Sequence, residues 1–125
     1  MAQIDTKIYA SMCRILRAGG QLEQVTATFC TNSRSRLEQL RKAIEQRNDS
    51  DLIGVAHALK GSCAMFGAKG CAEICQSIEN IVTKNPQNKN YESLENLLEN
   101  LTKELDQVFE FLQKQPNPET KDCCP

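Results

Sequence analysis

Apolar positions in this chain recur at three- and four-residue intervals, and no run alternates with the two-residue period of a half-buried strand. Asp5 can cap a first helix with Ile8, Met12, Ile15 and Leu16 on one face, and Gly19-Gly20 ends it. A second helix is expected from about Gln21 toward Arg47, with Leu22, Val25, Phe29, Leu37, Leu40 and Ile44 inward. Its stretch Thr31-Asn32-Ser33-Arg34-Ser35-Arg36 is polar and weak in helix propensity. Ser33 and Leu37 nevertheless keep register with Phe29 and Leu40, so one helix runs through it. Asn48-Asp49-Ser50 forms a turn and cap cluster. A third helix follows from about Asp51 to Phe66, with the seam Leu52, Ala56, Leu59, Cys63 and Phe66, and Gly67-Ala68-Lys69-Gly70 breaks it.

A fourth helix spans about Cys71 to Thr83, with Ile74, Cys75, Ile78, Ile81 and Val82 inward. Residues 85–90 read as a loop. A fifth helix opens near Tyr91 and carries the stripe Leu94, Leu98, Leu101, Leu105, Val108 and Leu112 over a charged, solvated outer face. The fold class is all-α. Short connections make neighbouring helices antiparallel. Residues 1–115 form one helical domain, and 116–125 form a flexible, proline-containing tail.

Composition narrows the function by exclusion. The formal net charge is -1 with 25% charged residues, which argues against nucleic-acid binding driven by phosphate neutralisation and gives no basic membrane face. There is no apolar run long enough to span a bilayer and no secretory signal. Seven cysteines, at 13, 30, 63, 71, 75, 123 and 124, include no C-x-x-C pair, and one histidine is too few for the usual zinc-finger pattern. The first five read as small hydrophobes in a reduced compartment, and Cys123-Cys124 fall in the tail. The alternative for Cys63, Cys71 and Cys75 is a redox or metal site, since Cys71 and Cys75 share a helix face.

The chemistry concentrates on His57, the sole histidine. Neutral imidazole is a nucleophile that titrates near physiological pH. Its helical neighbours are Ile53 and Gly54 behind it, and Lys60, Gly61 and Ala64 ahead of it. Each glycine within a helix costs about 1 kcal/mol relative to alanine. Two of them around one histidine leave the ring clear and let another protein's backbone approach. Ile53 and Ala64 add an apolar rim to that landing site. Lys60 could stabilise an anionic group on the imidazole and disfavour imidazolium. The face suits transient bonding of an anion to His57. No acidic orienter or second titrating partner for His57 is visible within its motif.

The run His57-Ala58-Leu59-Lys60-Gly61-Ser62, then Phe66-Gly67-Ala68, Cys75 and Ile78-Glu79, resembles the histidine-containing phosphotransfer (HPt) domain of two-component phosphorelays. The segment Phe29, Leu37, Leu40 and Ala43-Ile44 before the Asn48-Asp49 turn is similar as well. The resemblance implies an antiparallel four-helix bundle with an additional N-terminal helix as a lid. It implies that His57 accepts a phosphoryl group from a receiver aspartyl phosphate and passes it to another receiver. Lys60 would lie near that group, and Gly61 would let the receiver dock. The chain itself would bind no cofactor, with Mg²⁺ on the partner receiver. Partners would be receiver domains of response regulators and of a hybrid sensor histidine kinase, with no nucleic acid and no membrane. The chain would have no kinase activity of its own. We expect a monomer in the cytoplasm, and in the nucleus too for a eukaryotic source, either as a free-standing shuttle or as a piece of a larger hybrid kinase. The competing class is a non-transferring adaptor that binds receiver or kinase domains through the same helix face.

Overall fold

The structure is a computed structural model that describes residues 3–84 and 91–115. The expected 85–90 loop and the tail with Cys123 and Cys124 lie outside the described residues. Five helices form in chain order: α1 (Thr6–Ala18), α2 (Leu22–Glu45), α3 (Asp49–Met65), α4 (Lys69–Lys84) and α5 (Tyr91–Gln113). Four of them close a ring, with α3 packed on α2 and α4, and α5 completing it against α2 and α4. α1 lies outside the ring against α2 and α3. Cross-helix bonds show the directions. Arg36 donates to Ser62 Oγ, so late α3 meets the middle of α2. His57 and Lys60 both reach Glu79, so α4 runs back along α3.

Capping explains the helix starts. Asp5 accepts from the backbone N–H groups of Lys7 and Ile8. The Asn48 side chain accepts from Asp51 N, so α3 starts at Asp49, two residues before the expected Asp51. α2 runs unbroken through 31–36 because Phe29 and Ser33 both face the core there. It stops at Glu45, short of Arg47, which takes a positive φ of 51° and lays its guanidinium over the Tyr91 ring.

Two further expectations are corrected. α4 starts at Lys69, so the break is confined to Phe66-Gly67-Ala68, and Gly70 is helical. The N-terminal segment fills this corner: Asp5 N donates to Gly67 O at 2.7 Å and Gly70 N to Gln3 O at 3.2 Å. Gly67 has φ +75°, and a Cβ there would meet Asp5 O at 2.5 Å, so only glycine fits. In α1 the buried residues are Met12 and Cys13, with Tyr9 and Leu16 packed alongside. Ile8 and Ile15, expected inward, are 46% and 73% exposed, because the helix meets the bundle along the neighbouring stripe.

The core is a continuous apolar cluster. Leu40, Leu52, Leu59, Ile78, Leu94, Leu101 and Leu105 are fully buried, each side chain contributing roughly 1.5–3 kcal/mol. Ile74, Ile81 and Leu98 are only half-buried at its margin. Phe29 stacks on Phe66 with centroids 4.2 Å apart and meets Phe109 edge-on at 6.4 Å. Ser33 Oγ is buried with no hydrogen-bond partner among the described residues. Such a hydroxyl costs about 1–3 kcal/mol, and alanine has the higher helix propensity. Ser33→Ala is therefore expected to raise the thermal midpoint by several degrees. A lowered midpoint in a melting experiment would refute this account of the position.

Candidate functional site

α3 is amphipathic in an unusual way. Leu52, Ala56, Leu59 and Cys63 are buried, while the opposite stripe of Gly54, His57, Ala58, Gly61 and Ala64 is exposed. The His57 side chain is 72% exposed. A Cβ built on Gly54 or Gly61 would meet nothing within 4 Å. Neither glycine is therefore required by packing among the described residues. The open strip around the imidazole extends to Met65, which is 48% exposed. Ile53 differs from its rim partner Ala64: it is half-buried and packs against the core, whereas Ala64 is open.

Under this open face lies a residue that the resemblance quotes but gives no role. Glu79 of α4 is only 8% exposed. Its Oε1 is 3.1 Å from His57 Nδ1, and its Oε2 accepts from Lys60 Nζ at 2.9 Å. A buried carboxylate without partners would cost several kcal/mol, and these two donors supply the compensation. The expectation that His57 has no acidic orienter is thus corrected. The acid comes from the next helix, 22 residues on, where a search within the motif could not find it. A signal was present: Cys71, Cys75, Ile78 and Val82 set the inward stripe of α4, and Glu79 falls within it.

This geometry defines the imidazole. A carboxylate can only accept, so Nδ1 carries the hydrogen that faces Glu79, and in the neutral ring the lone pair is on Nε2. The exposed nitrogen chemistry is therefore that of Nε2. Lys60 is 26% exposed at its side chain, and besides Glu79 it donates to Gln76 Oε1 at 2.8 Å. Ser62 of the same motif is structural: it accepts from Arg36 Nη1 at 3.1 Å and donates to Ala58 O.

Cys63, Cys71 and Cys75 come together in the core, all fully buried. The Cys71 thiol is held well above the usual thiol range, first by its hydrogen bond with Cys63 and then by burial. Burial does the same to Cys75. Buried, protonated thiols are poor nucleophiles. Among the described residues no group of three or more His, Cys, Asp or Glu side chains could hold a metal ion. No described helix is long and apolar enough to cross a membrane.

Comparison with known proteins shows two likenesses, one to a family and one to a solved structure. A model of the Hpt domain family matches residues 24–111, from early α2 to the end of α5. Among solved structures, histidine-containing phosphotransfer protein B from Pseudomonas aeruginosa PAO1 is similar, with a TM-score of 0.79 and 21% identity over 90% of this chain and 92% of that one. At that identity the likeness establishes a shared helical bundle. No curated protein matches.

Proposed function

The chain belongs to the Hpt domain family, and from that premise we propose that His57 carries a phosphoryl group between receiver domains in a phosphorelay. Family membership supports histidine phosphotransfer in two-component signalling. The observation that carries the residue assignment is the pairing of an exposed imidazole with a buried carboxylate at Nδ1.

The step follows from that pairing. The Nε2 lone pair attacks the phosphorus of a receiver aspartyl phosphate. An N–P bond forms, the P–O bond to aspartate breaks, and the aspartate leaves as a carboxylate. With Nδ1 protonated and Nε2 phosphorylated, the ring carries a positive charge. Glu79 stands 3.1 Å from Nδ1 to offset it. The Lys60 ammonium offers charge to the phosphoryl oxygens. Reversal toward a second receiver uses the same atoms. We assign Mg²⁺ and most of the charge stabilisation at phosphorus to the receiver, in keeping with a loose transition state.

The receiver is proposed to dock over Gly54, Gly61, Ala64 and the exposed edge of Ile53, where the bare backbone lets it reach the ring. Met65, exposed one residue beyond Ala64, gives apolar surface for that contact.

The test is incubation with phosphorylated receivers, followed by ³¹P NMR of the product. Acid-labile, base-stable phosphate on Nε2 of His57 is expected. Phosphate on Nδ1, or none from any receiver, would overturn the assignment.

A further inference from the structure

Lys60 has more partners than a free surface lysine, and they are arranged in a chain. An ammonium has three donors. Two are used: one on Glu79 Oε2 at 2.9 Å and one on Gln76 Oε1 at 2.8 Å. Gln76 is itself oriented, because its Nε2 donates to Asn80 Oδ1 at 3.0 Å. That bond fixes which end of the amide faces Lys60, so an acceptor and not a second donor meets the ammonium. Gln76 and Asn80 are four residues apart on α4, and Gln76 and Glu79 three apart, so all three rise from one face of that helix.

The two acceptors differ in what they contribute. Glu79 serves both the imidazole and the ammonium. Were it the only anchor, a flexible four-carbon side chain could swing about it. Gln76 adds a second, neutral anchor. It restrains the ammonium without adding charge that would repel an incoming phosphoryl dianion. One N–H of Lys60 then remains for that group.

We infer that Gln76 is a positioning residue for phosphoryl transfer, holding Lys60 with its third donor available to the phosphoryl group on His57. The inference rests on the phosphorelay reading and assigns within it a role to a residue outside the histidine motif.

The test is a double-mutant cycle read as the rate of phosphoryl acceptance from a phosphorylated receiver. Gln76→Met is nearly isosteric and removes the acceptor that meets Lys60 together with the exposed donor that meets Asn80. It is expected to slow acceptance about fivefold, the typical effect of one lost hydrogen bond. In a Lys60→Met background the same change should have no further effect, because the group it positions is gone. An equal fall in both backgrounds, or no fall beside wild type, overturns the inference while leaving the phosphorelay reading standing. Wild-type protein that accepts nothing from any receiver overturns that reading, and the inference with it. Melting curves of all four proteins identify any variant slowed by unfolding, whose rate is then taken at a temperature where it is folded.

Discussion

His57→Gln is expected to reduce phosphoryl acceptance to background while leaving the bundle intact. Glutamine has no nucleophilic nitrogen, and no second histidine exists to substitute. Its stability should stay within about 0.5 kcal/mol of wild type, because the replaced side chain is 72% exposed. The glutamine amide can also donate to Glu79, so the buried carboxylate keeps two partners. Circular dichroism and a melting curve should therefore overlay the wild type, while labelled phosphate from a receiver is absent. Retained labelling would move the carrier atom elsewhere and refute the assignment. A variant that fails to label but still supports signalling in cells would favour the adaptor reading.

The second large effect is expected at Gly61, and it should separate docking from chemistry. Gly61→Gln places a side chain where nothing among the described residues lies within 4 Å of the Cβ. The helix should gain stability, since glycine costs about 1 kcal/mol relative to a good helix former. Transfer from a receiver should nevertheless fall on the order of a hundredfold, the typical cost of displacing reacting groups by about an ångström. Phosphoramidate, a donor too small to need the docking surface, should still phosphorylate His57 at the wild-type rate. Equal losses with both donors would show that Gly61 matters to the imidazole itself. No loss with either would remove Gly61 from the interface.

Much of this arrangement was legible along the chain because it is local. Helical periodicity marks the seam of α3, and the same periodicity turns His57 and both glycines to the opposite side. Phe29, Ser33, Leu37 and Leu40 carry the α2 register across a polar stretch that propensity alone would break. What escaped was what depends on neighbours. Ile8 and Ile15 are apolar and correctly spaced, yet α1 rests on the adjacent stripe, and only packing against α2 and α3 decides between the two. α4 begins two residues before its expected start because Gln3 and Asp5 supply partners to the Gly67–Gly70 corner. Glu79 joins His57 through α3–α4 register, which the helical neighbours of His57 on its own helix do not encode, so the resemblance quotes the residue beside Ile78 without a role.

The buried carboxylate also bears on whether this reactivity can be transplanted. A peptide copied from α3 would carry His57, Lys60 and both glycines, yet its imidazole would be free to exchange tautomers and its ammonium would wander. The missing acid belongs to α4. The start of that helix is sealed by Gln3, whose amide N–H is held by Glu104 of α5. A graft that preserved the behaviour of this histidine would therefore have to bring at least two helices and the contacts that set their mutual register. The smallest portable unit is closer to the whole bundle than to its signature sequence.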